Sequence, residues 1–217
     1  RVGRAVEHLE LEVARGRAAR YGVSAAFYPL RASEPEHLSL GRLLGLLPAG
    51  HHLAVLQLPL NFAEPDALLA PHDGAAPLLK SLADHRLGVL TNRPLDGLFR
   101  DLPGVLRFAS EGPLDGQLLE EDADALEGRI TALCGSALGD PEEPVAGELA
   151  GKTVHVLVSL AGVQCVLVGM RRPRYVVDVV KALKQRPLLE PAMALAAVKS
   201  AHTALSMWFS TADGGRR

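Results

Sequence analysis

The residues with the clearest chemical promise lie in Val166-Leu167-Val168-Gly169-Met170-Arg171-Arg172-Pro173. An apolar strand runs into a glycine, two arginines and a proline suited to open a helix. Backbone N–H groups at a helix start have no intrahelical partner, and together with the helix dipole they attract anions. Proline at the first helical position gives up a donor that was unpaired anyway. The planar forks of Arg171 and Arg172 match the oxygens of a phosphate. The same residues also suit an ordinary strand-to-helix turn with two solvated arginines, and the motif by itself leaves both readings open.

Other constellations carry less. His51-His52 precedes a strand without the i,i+4 spacing or further ligands of a metal site, so it reads as a solvated loop pair. Glu120, Glu121, Asp122, Asp124 and Glu127 lack the spacing and the glycine of a calcium loop and read as a solvated helix face. Ser136 and Ser159 have no nucleophile-elbow context. No metal site is expected.

The elements that must position the arginines follow from periodicity. Val2, Ala5, Val6, Leu9 and Val13 recur at helical spacing, and Gly16 ends that helix. Ala18 to Val23, Leu53 to Leu58, Leu87 to Leu90 and Cys165 to Val168 read as four strands. Leu53 to Leu58 shows no polar alternation until Gln57, which predicts cover on both faces. Helices are predicted over Leu38–Leu47, Leu78–His85, Leu118–Leu138, Pro173–Lys184 and Leu188–Leu205. Met193, Leu195, Val198 and Leu205 form one face of the last. Residues 96–116 read as loop, and Val145–Leu160 fits either strand or helix. Alternating strands and helices predict an α/β fold with a parallel sheet and right-handed crossovers. Four strands are half of an eight-stranded barrel, which takes about 250 residues.

The chain has 217 residues, 48% of them hydrophobic and 22% charged, enough for one sizeable core. A single domain over 1–209 and a polar tail over 210–217 are expected. A net charge of −2 gives no basic field for nucleic acid. The apolar run Val154–Met170 is broken by His155 and Gln164 and is short for a membrane span. Cys134 and Cys165 form no metal or disulfide pattern, which fits a reduced, cytoplasmic setting. The sequence begins at Arg1 without an initiator methionine, and a trimmed start or a piece of a longer protein is expected.

Four segments, in order, resemble the aldo-keto reductases. Gly16-Arg17-Ala18-Ala19-Arg20-Tyr21-Gly22-Val23-Ser24 is similar to that family's basic turn and fifth strand. Val55-Leu56-Gln57-Leu58-Pro59-Leu60-Asn61 resembles the glutamine-bearing strand that follows. Gly88-Val89-Leu90-Thr91-Asn92-Arg93-Pro94-Leu95 resembles the strand ending in aromatic-x-Pro-Leu, and Gly162 to Pro173 resembles the last strand and its phosphate loop. The resemblance spans about residues 5–185. It implies a (β/α) TIM-barrel type of fold, of which only the C-terminal half, strands five to eight, with the C-terminal helices is present. It also implies that Val145–Leu160 is helical.

The resemblance implies NADP(H) as cofactor. Ser24 and Gln57 match residues that hydrogen-bond the nicotinamide amide. Asn92 matches the aromatic that stacks on the nicotinamide, and has no π-face to stack. Arg93, Pro94 and Leu95 match the pyrophosphate path. Gly169, Met170, Arg171 and Arg172 match the loop around the adenosine 2′-phosphate, where two arginines favour NADP over NAD. Further departures are Ala25 for an asparagine, Tyr175 for an arginine and Val179 for an asparagine. The family's Asp, Tyr, Lys and His tetrad lies in the other half of the barrel. None of Tyr21, Tyr28 and Tyr175 has an aspartate five residues before it, so no catalytic residue is assigned.

Three functions remain open. The chain is the cofactor-binding half of an NADP-dependent reductase of small-molecule carbonyls, a non-catalytic nucleotide-binding or regulatory homologue, or an inactive fragment. The last predicts exposed apolar surface on the edge strands Ala18–Val23 and Val166–Val168. Substrate identity and oligomeric state are not set by the sequence.

Overall fold

The computed structural model describes residues 2–26, 29–30, 33–98, 105–107, 139–140, 143–144, 149–170, 173–185 and 188–214. The predicted helix over Leu118–Leu138 lies outside them.

In chain order the elements are helix α1 (Val2–Ala14), strand β1 (Tyr21–Ser24), helix α2 (Leu40–Leu44), strand β2 (Leu53–Pro59), and helices α3 (Asp66–Leu69) and α4 (Leu78–Asp84). Strand β3 (Gly88–Asn92), the short strands β4 (Asp96–Leu98), β5 (Val105–Arg107), β6 (Gly139–Asp140) and β7 (Glu143–Pro144), and helix α5 (Leu149–Val158) follow. Strand β8 (Cys165–Val166) and helices α6 (Pro173–Gln185) and α7 (Pro191–Gly214) complete the set. The segment over Val145–Leu160 is thus helical in its core. Helix α7 begins at Pro191, whose fixed φ suits a first turn, and runs into the segment read as a polar tail.

Strands β1, β2, β3 and β8 form one sheet in that order, every pair parallel. The sheet is open: β1 and β8 are its edges among the described residues. Residues 96–107 are not loop throughout, because Asp96–Leu98 and Val105–Arg107 pair as an antiparallel ladder.

The two faces of the sheet differ. Val23, Leu56, Leu58, Val89 and Val166 share the face that packs into the main core, against Leu78 and Leu82 of α4, Leu157 of α5, and Ala201 and Leu205 of α7. Leu56 and Leu58 are fully buried, each contributing about 2 kcal/mol of apolar transfer. On the other face Gly22, Ser24, Cys165 and Leu167 are exposed, and Val55, Gln57, Leu90 and Asn92 are half-buried. Within β2 itself the second face is partly covered, with Val55 and Gln57 half-buried and Pro59 buried, so the expectation of cover on both faces of β2 holds in part. The exposed apolar edge expected at β8 is present at Leu167, whereas Tyr21 at the other edge is buried.

Glycine sets the floor of the open face. A Cβ at Gly22 would lie 2.9 Å from the Val55 side chain, and one at Gly88 would lie 3.0 Å from it. Val55 fills the space those two glycines leave on the neighbouring strands.

Candidate functional site

Catalytic and ligand sites of parallel α/β sheets gather beyond the C-terminal strand ends. Ser24 ends β1, Gln57 lies near the end of β2 and Asn92 ends β3. Ser24 and Gln57 are register partners, and Gln57 in turn pairs with Leu90, two residues before Asn92. All three polar side chains therefore share the open face. Asn92 Oδ1 is buried and has no hydrogen-bond partner among the described residues. A buried acceptor left unpaired is costly, and a ligand N–H satisfies it.

The next residues lock the strand ends together. Asn61, fully buried just beyond β2, accepts from the Ala63 and Glu64 backbone N–H groups, both at 2.9 Å, through Oδ1. This is the Asx-turn geometry that short amide side chains favour. Its Nδ2 donates to Glu64 Oε2 at 2.9 Å, to the Arg93 carbonyl at 3.1 Å and to the Asp96 carbonyl at 3.3 Å. Glu64 in turn accepts from the Arg93 guanidinium at 2.7 Å. Gly97 crosses close by, where a Cβ would lie 2.6 Å from Asn61 Oδ1.

Arg93 sits at φ 53°, a left-handed conformation that bulky side chains seldom adopt. Its charge is already engaged by Glu64. Pro94 is buried, and Leu95 packs with Ala150 and Val154 of α5 and Val179 of α6. Val179 is thus a core residue here. Gly169 and Met170 are exposed beyond β8. Arg171 and Arg172 lie outside the described residues.

The opposite end of the strands is tied by Glu10 of α1. Its Oε1 accepts from the Tyr21 hydroxyl at 2.7 Å and the His52 backbone N–H at 2.9 Å, and its Oε2 faces His52 Nδ1 at 2.7 Å. These bonds, Tyr21 foremost, hold the Glu10 carboxyl at about 2. Burial, then the Glu10 carboxylate, pushes the Tyr21 hydroxyl up. His52, an exposed loop residue as expected, is thus also tied to Glu10.

Asn61 and Glu64 organise the candidate site, and the sequence reading gave neither a role. The signal available to it was an asparagine directly after an apolar strand, with an acidic residue three positions on. A cleft of about 640 Å³ opens between Ser33, Asp66, Leu69, Pro71, Gly74 and His202, and none of the candidate dinucleotide residues lines it. Among the described residues no helix is long and apolar enough to cross a membrane.

No family model matches the sequence, and no curated protein matches it either. Solved structures do. The thermostable aldo-keto reductase Tm1743, determined with the inhibitor epalrestat, is similar over 94% of this chain at a TM-score of 0.55 and 14% identity. The aldo-keto reductase AKR11C1 from Bacillus halodurans, in its holo form, is similar over 90% at a TM-score of 0.52 and 13% identity. The alignments span 55% and 54% of those two chains, so this chain covers about half their length. The likeness establishes an aldo-keto reductase type of fold for this chain over the part they share.

Proposed function

We propose that this chain is the cofactor-binding half of an NADP-dependent aldo-keto reductase acting on small-molecule carbonyls. One observation carries the reading. A four-stranded parallel sheet packs helices on one face, and among the described residues the other face is the less covered, with Ser24 exposed and Gln57 and Asn92 half-buried at the strand ends. This supports reading the four strands as strands five to eight of a barrel.

The residues present fit a dinucleotide's carboxamide: a serine hydroxyl, a half-buried glutamine and an unpaired buried oxygen on Asn92. When bound, the cofactor supplies a hydride for carbonyl reduction. Ser24, Gln57 and Asn92 orient the amide, and Asn92 replaces stacking by a hydrogen bond. Glu64 already neutralises Arg93, so in this reading phosphate charge is met by Arg171 and Arg172. No proton donor is assigned to this chain.

A second reading is a nucleotide-binding homologue without catalysis. It is favoured by Asn92 at the stacking position and by the ion pair that occupies Arg93. Thermal melting of the chain with NADPH and with NADH tests both. A rise with NADPH that exceeds the rise with NADH, and falls in Arg171→Ala and Arg172→Ala, supports the cofactor site. Carbonyl-dependent oxidation of NADPH after addition of the segment carrying the Asp, Tyr, Lys and His tetrad separates the first reading from the second. No shift with either nucleotide refutes both.

A further inference from the structure

The ion pair between Arg93 and Glu64 joins the ends of two neighbouring strands. Arg93 follows β3, Glu64 follows β2, and their facing atoms lie 2.7 Å apart across 29 positions of sequence. Both residues stand on the rim beyond the C-terminal strand ends, where ligands of parallel α/β sheets gather. Other arginine pairs among the described residues, Arg15 and Arg17 with Glu12, are local in sequence, and their arginine side chains are 55% and 61% exposed. The Arg93 side chain is 31% exposed and the Glu64 side chain 16%. The rim pair is drier than an ordinary surface bridge and still within reach of a ligand.

Each partner suits an exchange. A guanidinium fork takes a carboxylate or a phosphate in the same planar geometry. Glu64 uses its two oxygens differently: Oε1 meets Arg93, and Oε2 accepts from Asn61 Nδ2 at 2.9 Å. If Arg93 leaves, Glu64 keeps the Asn61 bond, so its carboxylate is not stranded without a donor. Asn61 Nδ2 also donates to the Arg93 carbonyl at 3.1 Å. The backbone at Arg93 is thus held while the side chain changes partner. Its left-handed conformation is of a kind that clusters at ligand clamps and switches.

We propose that Glu64 is a built-in competitor for the phosphate-bearing ligand of this rim: its carboxylate holds the Arg93 guanidinium, and a pyrophosphate group displaces it. The inference rests on the dinucleotide reading for the identity of the ligand, and it adds a residue that sets the affinity. Arg171 and Arg172 keep the role of meeting the 2′-phosphate, and Arg93 is held in reserve for the pyrophosphate. Apparent affinity falls by the fraction of chains in which Arg93 is released. Removing the competing charge therefore tightens binding, and it does so only through Arg93.

Calorimetric titration of the full chain with NADPH, and separately with inorganic pyrophosphate, tests this. Glu64→Gln should bind each about tenfold or more tightly than wild type, the size of one hydrogen bond to a charged group. The double variant Glu64→Gln/Arg93→Ala should lose that gain. NADPH binding by wild type with no gain in Glu64→Gln, or a gain that survives in the double variant, overturns the inference and leaves the dinucleotide reading standing. NADPH binding by none of the chains, with pyrophosphate still held more tightly by Glu64→Gln through Arg93, refutes the dinucleotide reading and keeps the competitor role. Binding of neither compound by any chain overturns both. Should the variants misfold, the wild-type chain decides: the NMR signals of the Arg93 guanidinium should move as pyrophosphate is raised to about 10 mM, and unmoved signals overturn the inference.

Discussion

Replacing Asn61 gives the sharpest test of how the strand ends are built. Asn61→Ala removes two hydrogen bonds to the Ala63 and Glu64 N–H groups and three from Nδ2 to Glu64, Arg93 and Asp96. At roughly 1 kcal/mol per net bond, and counting the longest at about 0.5, the loss is about 4 kcal/mol. For a chain of this size that lowers Tm by about 8–16 °C. Asn61→Asp separates hydrogen bonding from shape. Aspartate keeps the volume and the acceptor for both N–H groups. It replaces the amide donor by an oxygen that faces the Glu64 carboxylate and two carbonyls. The cost should equal or exceed that of alanine, because a buried charge then lacks a partner. Calorimetric Tm and urea midpoints measure both variants. An Asn61→Asp protein within about 0.5 kcal/mol of wild type would refute the donor role of Nδ2 and the network drawn around it.

Glu10 sets an acid response. Its carboxyl is lowered to about 2 from an ordinary 4.5, so its contribution is present above about pH 4.5 and is lost as pH falls toward 2. The urea midpoint of Glu10→Gln should therefore fall less than that of wild type over this window. Gly97→Ala pushes a Cβ to 2.6 Å from Ala63 Cβ and Asn61 Oδ1 and should cost about 1–3 kcal/mol. Gly169→Ala meets nothing within 4 Å and should lie within about 0.5 kcal/mol of wild type. The two faces of the sheet give a further contrast in chemical denaturation: Leu56→Ala should cost about 2–5 kcal/mol, and Leu167→Ala less than about 1 kcal/mol.

The four parallel strands and the crossover helices α2 and α4 are legible because apolar runs bounded by glycine, proline and charge mark them locally. Val145–Leu160 was not settled by its valines; the family resemblance chose helix, and Leu149–Val158 is helical. The ladder between Asp96–Leu98 and Val105–Arg107 escaped because three-residue strands are too short to show a period. The unequal cover of the two sheet faces, with Gly22, Ser24, Cys165 and Leu167 exposed on one, has a different origin: strand periodicity fixes which side chains share a face, while cover on that face depends on what else packs there. Ser24, Gln57 and Asn92 were named from the resemblance, and strand register brings them to one face. Nothing local marks the role of Asn61, since its partners Arg93 and Asp96 are more than thirty positions away.

Hydrogen exchange with and without NADPH tests the central claim, a dinucleotide held across the strand ends of the open sheet face, most directly. The account predicts slowed exchange at Ser24–Ala25, Gln57–Leu58, Asn92–Arg93 and Gly169–Met170, with Glu10 and the rest of α1 unchanged. Unaltered exchange at those strand ends at saturating NADPH, or protection confined to α1, would contradict it.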